Sequence, residues 1–214
     1  MEKLRVHFPP SGEVIADNVA YADFLKRFTG ESVEWVYGNV IRVSPVSKDH
    51  NALSKFLIIF FDAYLGQTGG GTVLHNPMLM KPSAELPARA PDIQIVLPAN
   101  EAIIEKNQVA GAADLVVEIV SPESQRRDRV EKFIEYEKAG VREYWIIDPN
   151  RLEALFYILE DGAYQLWQSD TNIYRSTVLP QLIIDIDLFW QTPLPRFSGI
   201  GAIVDAMLKD GEES

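Results

Sequence analysis

The chain has 214 residues, a formal net charge of −11 and no cysteine. An apolar content of 47% and a charged content of 24% are typical of a globular protein, and the length suffices for one domain with a sizeable core. The lack of cysteine excludes disulfides and thiolate metal sites. The acidic charge argues against a protein that coats nucleic acid through many phosphate contacts.

Nothing in the sequence indicates secretion or membrane insertion. Residues 1–10 lack the apolar core of a signal peptide. The longest apolar run, Phe56–Phe61, is far too short to cross a bilayer. We therefore expect a cytoplasmic protein.

The first half of the chain alternates helical and strand patterns. Two helices and a hairpin at Gly38-Asn39 are predicted: a helix from Asp17 or Asn18 to Phe28, strands Val33–Tyr37 and Val40–Val43, and a helix Lys48–Leu65. Further strands are predicted at Thr72–Leu74, Met78–Lys81 and Pro91–Val96, with a loop at Pro82–Arg89.

The segment Asp114–Pro149 predicts a strand, a helix and a second strand. Its parts are the strand Leu115–Val120, a helix capped by Ser121 that begins at Pro122 and ends at Gly140, and the strand Tyr144–Ile147. Val130, Phe133 and Ile134 form the apolar stripe of the helix. Two apolar strands joined by a helix indicate a parallel crossover.

The remaining chain predicts a hairpin, a strand and a final helix: Leu152–Leu159 with Ala163–Trp167, Tyr174–Val178, and Ser198–Lys209. No linker or repeat divides the sequence, so we predict one domain, 1–214, with a core at about 17–190 and a C-terminal tail at 191–214. The fold class is α/β (α+β), with N-terminal and C-terminal hairpins added to the parallel crossover.

The apolar surface of the chain predicts a homodimer. In the helix Lys48–Leu65, the run Phe56–Phe61 is apolar nearly all round. With the aromatic-rich C-terminal hairpin, it offers more apolar surface than one small sheet is expected to cover.

Glu118 is the charge that most needs a partner, because it lies inside the apolar run Leu115–Val120. A buried carboxylate costs several kcal/mol unless a cation or hydrogen bonds compensate it. The search for that compensation leads to two other residues, Asp92 and Lys132.

Asp92 opens the strand that precedes Glu118 in the chain. Side chains alternate along a strand, so Asp92 and Gln94 lie on the same face of this predicted strand. Val116 and Glu118 likewise share one face of the next strand. If the strands are neighbours, two carboxylates about 4 Å apart repel by roughly 4 kcal/mol at an effective dielectric of about 20. A divalent cation turns this repulsion into binding, and oxygen ligands favour Mg²⁺ or Mn²⁺.

Lys132 lies on the predicted helix and shares a face with Asp128 and Tyr136. If that face turns toward the end of the Glu118 strand, the ammonium can act on a reacting phosphate in three ways. It can orient an attacking water, deprotonate that water after losing its own proton, or stabilise charge on a phosphoryl oxygen.

These residues resemble the PD-(D/E)XK nuclease superfamily: Pro91-Asp92, then Glu118 in a hydrophobic strand, then a helix with Lys132. The segment Asp114–Pro149 resembles more specifically the Uma-type family of "putative restriction endonucleases". The matching residues are Glu118-Ile119-Val120-Ser121-Pro122, Arg127-Asp128, Lys132, Tyr136, Ala139-Gly140-Val141 and Glu143–Pro149. The likeness covers roughly residues 21–188 and extends more faintly to Glu34, His50 and Asp92.

This resemblance implies a restriction-endonuclease-like core, which is a mixed β-sheet flanked by helices. It also implies metal-dependent hydrolysis of DNA phosphodiester bonds. Asp92 and Glu118 match the residues that hold Mg²⁺ or Mn²⁺, the peptide carbonyl of Ile119 is a natural further ligand, and Glu34 assists directly or through water. Because the chain is acidic, we expect its DNA binding to be weak and salt-sensitive.

The sequence departs from the superfamily pattern at one position. Val120 stands two residues after Glu118, where the motif asks for lysine. The resemblance implies that the family moves this lysine to the helix, where Lys132 positions the water.

Each candidate residue also has a purely structural interpretation. Glu118 and Lys132 would form a buried ion pair, Glu34 would be an exposed hairpin residue, and His50 a polar residue in the first turn of a helix. Three arginines, at positions 126, 127 and 129, have two interpretations: they would contact phosphates, or they would form a surface face of mixed charge with Asp128 and Glu131. The chain would then be an inactive nuclease-fold module for binding or assembly. A third option is a metal-dependent hydrolase that acts on something other than DNA.

Overall fold

The structure, a computed structural model, describes residues 11–28, 30–43 and 45–212. Its helices are α1 (Tyr21–Arg27), α2 (Lys48–Thr68), α3 (Phe133–Ala139) and α4 (Phe197–Glu212). Its strands are β1 (Glu13–Ala16), β2 (Val33–Val36), β3 (Asn39–Arg42), β4 (Thr72–His75), β5 (Leu79–Met80), β6 (Ile93–Val96), β7 (Gln108–Val109), β8 (Leu115–Ile119), β9 (Glu143–Asp148), β10 (Glu153–Glu160), β11 (Ala163–Leu166), β12 (Ile173–Arg175) and β13 (Ile183–Asp185). Turns of 3₁₀ helix lie at Pro98–Ile103 and Ile186–Trp190, and a π-helical turn at Arg127–Lys132 leads into α3.

The central layer is a mixed sheet with the strand order β11-β10-β9-β8-β6-β4. Strands β8 and β9 are parallel, and the other neighbouring pairs of this sheet are antiparallel. The helical segment that ends in α3 joins the parallel pair, which confirms the predicted crossover and the mixed sheet flanked by helices. The C-terminal hairpin is not a separate addition, because β10 pairs with β9 and extends this sheet.

The alternation of side chains along β8 decides which helix each residue faces. Val117 and Ile119 belong to the core under α2 and α4. Val116 and Val120 belong to the core on the other face, which includes side chains of α3. Glu118 lies two residues from both Val116 and Val120, so its side chain points to the same face of the sheet as theirs. That face is covered by the helical segment that follows β8.

Helix α2 is longer than predicted and is covered within the chain. It runs three residues past Leu65 and is capped by Gly69, whose left-handed backbone (φ 105°) suits glycine. Phe60 and Phe61 are fully buried between the sheet and α4. This coverage removes the argument from which the homodimer was predicted, and the homodimer stays a prediction. Among the residues that the structure describes, no helix is long and apolar enough to span a bilayer.

Helix α4 lies in the stretch assigned to a C-terminal tail, yet it packs against the core. Ile200 and Val204 are buried against the side chains of α2. Gln67 on α2 donates a hydrogen bond to Asp205 at 3.0 Å. The predicted boundaries also include residues 1–10 and 213–214, which lie outside the described residues.

A small antiparallel sheet, β1-β3-β2, confirms the predicted N-terminal hairpin and adds a strand to it. Helix α1 begins at Tyr21 rather than at Asp17 or Asn18, because Asn18 has a positive φ of 51° that a helix does not accept. Trp35 on β2 pairs with Ala88, so this sheet lies against the chain just before Asp92.

The helix after β8 also begins later than predicted. The backbone N–H of Ser121 donates to the hydroxyl of Ser124 at 2.9 Å, and the backbone carbonyl of Ser121 accepts from the Ser124 N–H at 3.1 Å. Ser121 and Pro122 therefore form a tight turn, and the helix starts at Gln125. The predicted cap at Ser121 is wrong because both of its backbone groups serve this turn.

Candidate active site

Asp92, one residue before β6, and Glu118 on β8 line one cleft. Strands β6 and β8 are antiparallel, with Ile93 opposite Val117. The same register continued by one residue places Asp92 opposite Glu118. The backbone N–H of Ile119 donates to Oδ2 of Asp92 at 2.7 Å, which fixes this carboxylate at the end of β8.

The cleft is small, with a free volume of about 30 Å³. This space takes roughly one or two water molecules or one metal ion without its water shell, and it opens to solvent on one side. Most of the residues singled out from the sequence line it: Glu34, His50, Asp92, Glu118, Ile119, Arg127, Asp128 and Lys132. Arg126 and Arg129 do not line it, and Arg129 pairs with Asp148 and Glu153 instead. The fold thus brings together side chains from β2, α2, the position just before β6, β8 and the π-helical turn.

Lys132 is buried at the centre of this group. Its Nζ lies 2.8 Å from Oε1 of Glu118, and 3.4 Å from both Oε1 of Glu34 and Oδ1 of Asp128. Burial acts to lower the pKa of Lys132, but these three carboxylates outweigh burial and raise it above its ordinary value. These charges favour the protonated ammonium form of Lys132.

Glu118 is only partly compensated by its surroundings. Its Oε1 accepts hydrogen bonds from the Lys132 ammonium and from the hydroxyl of Tyr136, the latter at 2.8 Å. Burial raises the pKa of Glu118 above its ordinary value; Lys132 opposes this rise, and Asp128 and Asp92 add to it. Lys132 and Arg127 line the cleft together with four carboxylates, Glu34, Asp92, Glu118 and Asp128, so a further cation is favoured there.

Glu34 is held by a residue that the sequence interpretation missed. Arg89 falls at the end of the predicted loop Pro82–Arg89. In the structure it is 1% exposed and donates from Nη1 to Oε2 of Glu34 at 2.8 Å. It also donates from Nε to Oε2 of Glu135 at 2.7 Å. Burial acts to raise the pKa of Glu34, but Lys132, Arg89 and Arg127 together lower it to about 2. The interpretation of Glu34 as an exposed hairpin residue is wrong.

The π-helical turn explains why charged residues face inward after β8. Its buried residues, with those of α3, recur as adjacent pairs four positions apart: Arg127 and Asp128, Glu131 and Lys132, Glu135 and Tyr136. A π-helical turn is wider than an α-helical one, which allows two neighbours to share the inner face. The predicted apolar stripe is wrong at Val130, which is 41% exposed, because the ion pairs occupy the inner face instead.

His50 supports Asp92 from the first turn of α2. The Ser47 hydroxyl accepts from the His50 backbone N–H at 3.1 Å and so fixes the start of the helix. His50 Nε2 lies 3.1 Å from Oδ2 of Asp92. The side chain is buried, and Nδ1 has no hydrogen-bond partner in the described part of the chain.

The donor set of the cleft fits a magnesium or manganese ion held by two acids. Within the described residues, no three acidic or histidine side chains surround a common point as a ready metal cage. Asp92 Oδ1 and Glu118 Oε2, however, make no hydrogen bond to these residues. Mg²⁺ is commonly held by one or two carboxylates and keeps several waters. Ile119 lines the same cleft.

Comparison with known structures identifies the class of fold. The crystal structure of a "putative nuclease belonging to DUF820" from Anabaena variabilis ATCC 29413 matches with a TM-score of 0.64 and 17% sequence identity. The match covers 79% of this chain and 96% of that chain. The mixed sheet and its flanking helices are a restriction-endonuclease-like fold, as expected from the sequence.

The sequence itself shows the family. The model of the Uma2 family, described as "Putative restriction endonuclease", matches residues 20–187. The chain therefore belongs to the Uma2 family, which confirms the resemblance seen in the segment Asp114–Pro149. No curated protein matches the sequence.

Proposed function

We propose that this protein is a metal-dependent endonuclease that hydrolyses the phosphodiester bonds of DNA. The observation that supports this most strongly is the convergence of Asp92, Glu118 and Lys132 on one buried cleft. Membership of a family described as restriction endonucleases supports the reaction class and the substrate. The acidic charge of −11 predicts that DNA binding is weak and falls steeply with salt.

In this proposal Asp92 and Glu118 hold one Mg²⁺ or Mn²⁺ ion through their free oxygens, and the carbonyl of Ile119 is a further ligand. The bound ion would stabilise negative charge on the phosphoryl oxygens and lower the pKa of a water molecule. Glu34 takes part through Lys132, whose ammonium it contacts at 3.4 Å.

Lys132 orients the nucleophile in this reaction. Its raised pKa keeps the ammonium protonated, so it donates a hydrogen bond to the attacking water or to a non-bridging phosphate oxygen. The water oxygen forms a bond to phosphorus in line with the 3′-oxygen. The bond from phosphorus to the 3′-oxygen breaks with its electron pair, and the proton lost by the water passes to solvent.

Cleavage of supercoiled plasmid DNA tests the proposal. Wild-type protein is expected to nick or linearise the plasmid in Mg²⁺ or Mn²⁺ and to leave it intact in EDTA. Asp92→Asn removes a cation-holding charge and should slow cleavage by about 10²-fold or more. Asp62→Asn is the matched control, because Asp62 is exposed on α2 and the charge change is the same.

The three cleavage rates separate hydrolysis in this cleft from hydrolysis elsewhere. If wild type, Asp92→Asn and Asp62→Asn cleave at one rate, the activity belongs to a contaminant or to another site. If none of them cleaves in either metal, the proposed DNA cleavage is wrong.

The inactive binding or assembly module is the second candidate. The ion pairs around Arg89 favour it, because Glu34 and Glu135 are fully paired without any metal ion. In that case the acid–lysine cluster only stabilises the fold. The module predicts that Mg²⁺ and Mn²⁺ do not bind in calorimetry, whereas the nuclease predicts a heat of binding that Asp92→Asn abolishes.

A further inference from the structure

Arg127 is a buried cation of the cleft whose guanidinium makes no hydrogen bond to the described residues. It is 6% exposed, and its Nε is fully buried without a partner. Oδ1 of Asp128 lies 3.8 Å from that Nε, beyond hydrogen-bond distance. Arg89 in the same region contrasts with it, since Arg89 donates at 2.8 Å or less to Glu34 and Glu135.

A guanidinium in this state is costly unless a ligand completes its surroundings. It has five N–H donors and always carries its charge. Leaving one buried donor unpaired costs about 1–3 kcal/mol, and more for a charged group. A purely structural arginine would recover this energy by pairing, as Arg89 does.

Two other buried polar atoms of residues that line the cleft lack a hydrogen bond to the described residues: Nδ1 of His50 and Oδ1 of Asp128. Oδ1 of Asp128 is not isolated, because it forms ion pairs with Lys132 at 3.4 Å and with Arg127 at 3.8 Å. Three buried polar atoms without a hydrogen bond around one small space indicate that the described residues alone do not complete this site.

We propose that Arg127 binds a non-bridging oxygen of the DNA phosphodiester in the cleft. The inference rests on the proposed nuclease function and names the side chain that receives the substrate phosphate. The planar fork of a guanidinium matches two phosphate oxygens, and a pair between a guanidinium and a phosphate is a strong, charge-assisted one. Arg127 thereby supplies the positive charge that an anionic substrate needs beside four carboxylates: Glu34, Asp92, Glu118 and Asp128.

A structural role for Arg127 is the alternative, because Glu34, Asp128 and Glu118 all raise the pKa of its guanidinium against the effect of burial. A structural arginine affects folding but does not set how DNA binding depends on salt. A phosphate contact, in contrast, contributes about one unit to the slope of log Kd against log salt concentration.

Fluorescence anisotropy of a labelled short DNA duplex, titrated in Ca²⁺ at several KCl concentrations, tests the proposal. Arg127→Gln is expected to raise Kd about tenfold at low salt and to reduce the salt slope by about one. Arg175→Gln is the control with the same charge change, because Arg175 is exposed on β12 and does not line the cleft. This control should leave Kd within about twofold of the wild-type value and should leave the salt slope unchanged.

The possible failures are distinguishable. If the wild-type protein binds DNA and Arg127→Gln binds it with the same affinity and the same salt slope, the proposed role of Arg127 is wrong and the nuclease proposal stands. If wild type binds no DNA at the lowest salt, both proposals fall. If Arg127→Gln does not fold, Arg127→Lys keeps the charge but loses the fork. It should then retain the salt slope and cleave about tenfold more slowly; an unchanged cleavage rate overturns the proposal.

Discussion

Replacing Lys132 with methionine is expected to reduce the rate of plasmid cleavage by about 10²–10³-fold. The substitution removes the ammonium that lies 2.8 Å from Glu118 and keeps a side chain of similar length. No other cation within 4 Å of Glu118 among the described residues can replace it. Because the surroundings of Lys132 hold it protonated, the lost effect is hydrogen bonding and charge stabilisation rather than proton abstraction.

Two further variants separate catalysis from folding. Lys138→Met removes the same charge from the exposed side of α3 and should cleave like wild type. Lys132→Arg keeps a positive charge among the three carboxylates, so it should fold, but its planar head cannot occupy the position of the ammonium. Wild-type cleavage rates in both Lys132→Met and Lys132→Arg would contradict a catalytic role for Lys132.

Replacing Arg89 with methionine is expected to lower the free energy of unfolding by about 3–5 kcal/mol. Arg89 joins Glu34 on β2 to Glu135 on α3, and its guanidinium is almost completely buried. Its removal takes away the cation that pairs with both buried carboxylates. Unfolding in urea, followed by circular dichroism, measures the loss.

The control for Arg89 is an arginine in an exposed ion pair. Arg42→Met breaks the contact with Glu13 at 3.2 Å, where both side chains are more than half exposed, and should cost less than about 1 kcal/mol. The double variant Arg89→Met, Glu135→Gln should recover part of the loss, because one uncompensated charge is also removed. A loss for Arg89→Met no larger than for Arg42→Met would show that the network does not stabilise the fold.

The sequence predicted the features that depend on local pattern and on one buried charge. The apolar runs of β8 and β9, with a helix between them, indicated the parallel pair correctly. Alternation along two strands placed Asp92 and Glu118 on one face, and their register now explains why. A carboxylate inside an apolar strand required a cation nearby, and Lys132 supplies it at 2.8 Å.

The features that the sequence did not predict depend on long-range packing. Arg89 shows no local signal, since its partners Glu34 and Glu135 lie 55 and 46 positions away along the chain. The π-helical turn has no distinctive composition, so α-helical spacing turned Val130 inward instead of Arg127 and Glu131. The cover on α2 comes from α4, which a pattern on α2 alone cannot reveal.

The central claim is that Asp92 and Glu118 hold a divalent cation, and the most direct measurement is anomalous diffraction from a crystal soaked in Mn²⁺. We predict one strong anomalous peak within coordination distance, about 2.0–2.3 Å, of a free oxygen of each carboxylate. The same soak of Asp92→Asn crystals should lose that peak. A wild-type cleft with no peak at millimolar Mn²⁺, or with manganese bound only elsewhere on the protein, would contradict the claim.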